Sequence, residues 1–300
     1  MNPTNTTPLS FKQTLWAYIQ LMRLNRPVGI YLVLWPALWA LWLGAGGFPG
    51  WLILSVFVSG AVLMRSAGCV INDYADRHFD GHVARTCQRP IAAGLIKPKS
   101  ALVFFLILCL IAFGLVLLLN PLTISLSLGA VLLAALYPFM KRFTYWPQAF
   151  LGAAFAWAVP MGFAATANAV PWQAWPIFII TLIWALIYDT AYAIGDKEDD
   201  LKIGVKSTAI LFGERVQAVI GVFQILMLLG LIWIGHLFAL GWVYHLSLGA
   251  VAGLFLYHQK LLGLNQPSMA FKAFLNNHWV GFVVLLGIAF DQNLQSLGVN

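Results

Sequence analysis

Residues 101–119 read ALVFFLILCLIAFGLVLLL, nineteen positions without a charge, a proline or an amide. A helix needs roughly 20 apolar residues to cross the hydrocarbon of a bilayer. The stretch is long enough to span, and it is not alone. Comparable runs fall at 28–46, 51–70, 122–139, 148–167, 174–191, 208–234, 238–257 and 278–290. Across the 300 residues, 61% are hydrophobic and 9% charged, against about 25% charged in soluble domains. The expected fold is therefore all-α: a polytopic membrane protein of about nine transmembrane helices around a central cavity. Residues 1–300 are expected to form a single membrane-embedded domain, since the turns on one side are too short to fold separately.

Residues 11–26 (FKQTLWAYIQLMRLNR) precede the first span. Phe11, Leu15 and Ile19 share a helical face with Lys12, Arg23 and Arg26 nearby, so an interfacial amphipathic helix is expected. No cleavable leader is apparent in the polar opening residues, and insertion through the first span is expected. Cys69, Cys87 and Cys109 lack metal-ligand spacing, and their odd number argues against a disulfide framework.

Charge sets the orientation. With the N-terminus in the cytoplasm, all 17 Lys and Arg fall in the inner loops or at the inner helix ends. The outer connections at 47–50, 120–121, 168–173 and 235–237 hold none. That is a strong positive-inside bias. The net charge of +7 is thus a topology signal and does not call for nucleic acid. The expected location is a bacterial inner membrane with the working face toward the cytoplasm, and no obligate protein partner is indicated.

The acids need another reason. Nine of the ten lie inside, eight of them in two groups, and only Asp291 lies outside. The first group is Asn72-Asp73-Tyr74-Ala75-Asp76-Arg77-His78-Phe79-Asp80, where Asn72, Asp76 and Asp80 share a helical face if the helix continues. The second is Asp189, then Asp196-Lys197-Glu198-Asp199-Asp200. Positions 65 and 189, 72 and 196, and 76 and 200 are each 124 apart, a faint sign of a parallel repeat. Stacked carboxylates at a membrane boundary are costly unless paired or bound to cations. Hard oxygen donors suit Mg²⁺, which shares its coordination with substrate phosphates. Arg65, Arg85, Arg89, Lys97, Lys99, Lys141, Arg142, Lys197, Lys202 and Lys206 lie close by in sequence or at facing helix ends. Carboxylates with Mg²⁺ and basic side chains are the combination that grips a diphosphate.

These motifs resemble the UbiA superfamily of membrane aromatic prenyltransferases. The first group matches its Asn-Asp-x-x-Asp-x-x-x-Asp motif, followed by Arg85 and Arg89-Pro90 in its Arg-x-x-x-Arg-Pro continuation. Asp196 and Asp200 match its Asp-x-x-x-Asp motif, and Tyr137 and Lys141 its Tyr-x-x-x-Lys motif. LMRLNRPVGIYLVLWPALWALW, YPFMKRFTYWPQAFLGAAFAWAVPMGFAA and YDTAYAIGDKEDDLKIGVKSTAILFG are particularly similar to the bacterial 4-hydroxybenzoate polyprenyltransferases of ubiquinone synthesis.

The resemblance implies a polyprenyl diphosphate donor, a 4-hydroxybenzoate acceptor, Mg²⁺ dependence and a tail lying in the lipid bilayer. It implies that Asn72, Asp76 and Asp80 hold one metal–diphosphate group, and Asp196 and Asp200 the other. Lys141, Arg65, Arg85, Arg89, Tyr137 and Lys206 are the diphosphate-binding candidates. Asp189 and Asp196 are candidates for taking the phenol proton, and Arg142 for the acceptor carboxylate. Homogentisate or a naphthoate are alternative acceptors. A transporter is the rival from another class, though its ionisable residues would be expected nearer the midplane.

Overall fold

The computed structural model describes residues 10–78, 80–82 and 86–298. Among them every regular element is helical: α1 (Phe11–Leu21), α2 (Val28–Ala45), α3 (Trp51–Asp76), α4 (Pro98–Val116), α5 (Pro121–Met140), α6 (Pro147–Ala156), α7 (Ala158–Ala167), α8 (Ala174–Ile194), α9 (Lys197–Ile203), α10 (Thr208–Phe212), α11 (Val216–Leu237), α12 (Trp242–Leu262) and α13 (Pro267–Ser296). Short 3₁₀ turns follow α3 at Asp80–His82 and α10 at Gly213–Arg215.

Local chemistry sets many of these boundaries. Ser10 and Gln13 form a reciprocal capping box that starts α1. Asn120 caps α5 by accepting from the Thr123 N–H at 2.9 Å. Proline occupies the first turn of α4, α5, α6 and α13, where its missing N–H costs nothing. Two expected spans are interrupted. The run 148–167 breaks at Trp157 into α6 and α7, because Pro160 has no N–H to return to Ala156. The run 208–234 breaks at Gly213, whose φ of 56° ends α10.

Among the described residues, eight helices or helix pairs are long and apolar enough to cross a membrane, with α6–α7 and α10–α11 each counting as one. The remaining expected span, 238–257, corresponds to α12. It is 21 residues long, but Tyr244, His245, His258, Gln259 and Lys260 lower its hydropathy. Several of these groups turn inward. The Tyr244 hydroxyl donates to Leu231 O at 2.8 Å, His258 Nε2 pairs with Asn276 Oδ1 at 2.8 Å, and Gln259 Nε2 donates to Gln224 Oε1 at 2.9 Å. Such interhelical bonds hold α12 between α11 and α13.

The centre is built on α8, of whose span 61% is buried, against 17% for α4 and for α5. Trp39 of α2 stacks on Trp184 of α8 with ring centroids 5.4 Å apart. Trp39 Nε1 donates to Gly281 O of α13 at 2.9 Å. Gly281 has to be glycine, since a Cβ there would come within 2.4 Å of the Trp184 ring and 2.5 Å of Trp35. A second apolar cluster joins α1 to α3 and α4 through Ala17, Leu21, Ala67, Val70, Ile91, Ile96 and Leu108. Phe11, Leu15 and Trp16 of α1 stay exposed, as suits a helix lying on a bilayer surface.

Candidate active site

The first acidic group sits where α3 ends. The helix stops at Asp76, so Asn72 and Asp76 share a face while Asp80 lies beyond it in the 3₁₀ turn. Asn72 Nδ2 donates to Asp76 Oδ2 at 3.3 Å. Asp80 is brought back by Arg89. Its Nη1 meets Asp80 Oδ1 and Oδ2 at 3.1 and 3.0 Å, Asp73 Oδ1 at 3.3 Å and Asp76 Oδ2 at 3.8 Å. One guanidinium therefore gathers three buried carboxylates, and this replaces the continuous helix expected from the i, i+4, i+8 spacing. Burial pushes the Asp80 carboxyl above its usual range, with Arg89 pulling the other way. Burial works against the Arg89 charge, but Asp73 and Asp80 hold its proton more firmly than usual.

Lys141, at the end of α5, reaches Asp76 Oδ2 in a direct ion pair. This leaves Asp76 Oδ1 buried without a hydrogen-bond partner. An orphaned carboxylate oxygen beside Asn72 is the donor chemistry a hard cation takes. Among the described residues no three acidic, His or Cys side chains close into a protein-only metal cage. The residues thus fit a cation that completes its shell with phosphate oxygens.

The second acidic group is arranged differently. Asp189 lies on α8, which ends at Ile194. Asp196 precedes the short α9, which carries Asp200, and Asp200 N donates to Asp196 O at 2.9 Å. The constant offset of 124 is therefore not a repeat of local structure: Asn72 is inside a long helix, whereas Asp196 sits at a helix start. The two groups are tied through the backbone, since Lys206 N donates to Lys141 O at 3.0 Å. The Lys206 ammonium is turned to Phe143 O at 3.3 Å and lies 5.4 Å from the Tyr145 ring.

Arg65 occupies the middle of the site. Its Nη1 donates to Cys69 Sγ at 2.8 Å, and its Nε is buried without a partner. It lies within electrostatic reach of Tyr137, Tyr188 and Tyr192 and of Asp189. Tyr137 in turn is within electrostatic reach of Asp189 and Asp76. Gly29 of α2 makes room for the guanidinium: a Cβ there would lie 2.4 Å from Arg65 Nε. Arg142 is elsewhere engaged. Its Nη2 donates to Ala75 O at 2.8 Å, and its guanidinium lies 5.5 Å from the Phe139 ring. Arg85 lies outside the described residues.

Arg65 and Tyr137 form the polar end of a long apolar cavity, about 1080 Å³ with its open mouth. It runs along α3 from Gly68 to Val56 and is walled by α2, α4, α5, α6 and α7. Small side chains, among them Gly60, Ala61, Ala112 and Ala134, keep it wide. Twelve residues of helix make it about 18 Å long.

Sequence reasoning missed Asp73 as a working residue, along with Arg23 and Gly29. Asp73 lies in the motif itself, and its place beside Asn72 but off the Asn72–Asp76 face was a usable signal. Nothing local marks Gly29, whose neighbour Arg65 is 36 residues away in sequence.

The fold resembles that of a UbiA homolog from Aeropyrum pernix K1, with a TM-score of 0.78 at 23% identity, covering 87% of this chain and 97% of that one. It also resembles a UbiA homolog from Archaeoglobus fulgidus bound to GPP and Mg²⁺, with a TM-score of 0.64 at 18% identity, covering 90% and 99%. The chain is 69% identical to a 4-hydroxybenzoate octaprenyltransferase of Hydrogenovibrio crunogenus, over 93% of this chain and 98% of the relative. It is 56% identical to the protein of the same name from Saccharophagus degradans, over 94% of each. Residues 33–283 match the UbiA prenyltransferase family as a whole. With that match and identity of this order along nearly the full length, the chain belongs to the UbiA prenyltransferase family.

Proposed function

We propose that this protein transfers a polyprenyl group from its diphosphate to the ring carbon ortho to the hydroxyl of 4-hydroxybenzoate, at the cytoplasmic face of a bacterial inner membrane. The observation that carries the reading is the joining of two chemistries: an apolar cavity ends at Arg65 and Tyr137, beside acids already balanced by Lys141 and Arg89. The names of the relatives support the acceptor and an octaprenyl donor. The location rests on the one-sided distribution of Lys and Arg.

In this reading Asn72, Asp76 and Asp80 would hold Mg²⁺ with one side of the diphosphate, and Asp196 and Asp200 would hold the other. A carboxylate has about four lone-pair sites, so Asp80 can keep Arg89 and still offer an oxygen. Mg²⁺, when bound, neutralises charge developing on the leaving diphosphate. Lys141 and Arg89 add positive charge on the same side, supported by Lys206 and Arg85. The donor C–O bond breaks with its electron pair leaving on the diphosphate. The ring carbon bonds to the allylic carbon, and its own proton is lost to restore the aromatic ring. Asp189 or Asp196 takes the phenol proton during attack, and that proton returns when the ring proton departs. The products are 3-polyprenyl-4-hydroxybenzoate, diphosphate and one proton. The apolar walls exclude water from the cationic carbon.

For the acceptor carboxylate, Arg65 is favoured over Arg142, since it lines the cavity, its buried Nε has no hydrogen-bond partner, and guanidinium binds carboxylate bidentately. The test uses membranes expressing the chain with labelled 4-hydroxybenzoate, polyprenyl diphosphate and Mg²⁺, and Asp76→Ala membranes of equal protein content. Lipid-soluble labelled product from the wild type alone is the expected result. Absence of product across several donors, from folded protein, would reject the 4-hydroxybenzoate reading.

A further inference from the structure

Arg23 stands just beyond α1 with φ of 58°, a left-handed conformation that non-glycine residues rarely adopt. Two of the three other such residues described are Asn, which tolerates the region. Arginine has no such ease, so its surroundings must hold it. The guanidinium is fixed at both ends. Nη1 donates to Gln20 O at 3.0 Å, and Nη2 donates to Asp73 Oδ1 and Oδ2 at 3.0 and 3.2 Å. The Asp73 side chain is 2% exposed. Being one residue past Asn72, it is rotated about 100° from Asn72 around the helix, and about 60° from Asp76.

Asp73, Asp76 and Asp80 are three negative charges, and among the described residues the cations paired with them are Arg23, Arg89 and Lys141. Arg89 is shared among all three acids, whereas Arg23 serves Asp73 alone. Without Arg23, Asp73 is a buried charge with one cationic partner among the described residues, and it draws Arg89 toward itself. Asp80, which lies past the end of α3, then loses the bond that brings it back to Asp76.

We propose that Arg23 is a positioning residue for the donor end of the site: by neutralising Asp73 from the end of α1, it leaves Arg89 free to hold Asp80 against Asp76. What the site binds rests on the function proposed above; the positioning itself does not.

The full chain in lipid nanodiscs is compared as wild type, Arg23→Gln, Asp73→Asn and the double variant. Amide exchange is followed in residues 86–96, where Ala93 N bonds to Arg89 O and Leu95 N to Pro90 O. Arg23→Gln is expected to speed exchange there severalfold, leaving α12 and α13 unchanged. It is also expected to raise KM for the polyprenyl diphosphate about tenfold while the 4-hydroxybenzoate KM stays within twofold. In the Asp73→Asn background, Arg23→Gln should add little to either readout. Unchanged exchange at 86–96, faster exchange throughout the chain, or full additivity of the two substitutions would overturn the positioning role. Faster local exchange in a protein that does not use 4-hydroxybenzoate would retain the positioning and reject only the proposed reaction.

Discussion

Replacing Gly29 by alanine places a methyl group against the Arg65 guanidinium. The new Cβ would lie 2.4 Å from Nε, 2.6 Å from Nη2 and 2.8 Å from Cζ. Ordinary contact between such atoms needs about 3.5 Å, so the guanidinium must recede by about 1 Å. The helix itself tolerates the change, since alanine is favoured over glycine in α2 by about 1 kcal/mol. The clash is with the end of a flexible side chain, not with backbone. The protein is therefore expected to reach the membrane at wild-type levels. A displacement of about 1 Å in a positioning group lowers rate on the order of 100-fold, or about 2.7 kcal/mol in the barrier. The assay is steady-state transfer in nanodiscs, with kcat/KM read separately for 4-hydroxybenzoate and for the polyprenyl donor. The loss should fall on the acceptor. An acceptor kcat/KM within twofold of wild type would refute the placement of the carboxylate at Arg65. An equal loss for both substrates would refute it too, and would assign Arg65 to the diphosphate.

Other positions make separate claims. A Cβ on Gly60 meets no atom within 4 Å and points into open cavity, about 12 Å along α3 from Gly68; Gly60→Phe should spare geranyl diphosphate and lower turnover of long-chain donors at least tenfold in a donor-length series. Lys141→Ala leaves Asp76 buried with a more distant cation; activity should fall at least 100-fold, with donor binding weakened and membrane abundance retained on immunoblots. Asp291 caps α12 at the opposite end, accepting from Gly241 N at 2.6 Å and Tyr244 N at 3.4 Å; Asp291→Ala should lower thermal stability by about 1–2 kcal/mol and leave the KM of both substrates unchanged.

Much of the architecture was legible in the chain. Uninterrupted apolar runs marked the spans because lipid admits few alternatives to a helix. The spacing of Asn72, Asp76, Asp196 and Asp200 drew attention to the acidic groups. These signals are local: each is a period, a run or a neighbour. The interruptions at Trp157 and Gly213 were harder to place, because a proline or glycine within an apolar run is often tolerated. Helix continuity was overestimated past Asp76, where Asn72, Asp76 and Asp80 were expected to share one helical face. Spacing of i, i+4, i+8 says where side chains would point if the helix continued, not that it does.

What only the tertiary structure decided is which charge meets which. Ten basic residues were candidates by position, yet it is Lys141 and Arg89 that reach Asp76, the former across 65 residues, while Arg23, not among the ten, reaches Asp73 across 50. Arg142, adjacent to Lys141 in the chain, instead bonds to the Ala75 carbonyl. A one-residue step turns a side chain about 100° around the helix, so neighbours in sequence part company once the helices pack. The Gly29 notch likewise has meaning only when α2 lies against Arg65. Hydrophobicity and charge are properties of residues and can be read in order along the chain. Ion pairs and close contacts are properties of packed surfaces, and they exist only once the helices have come together.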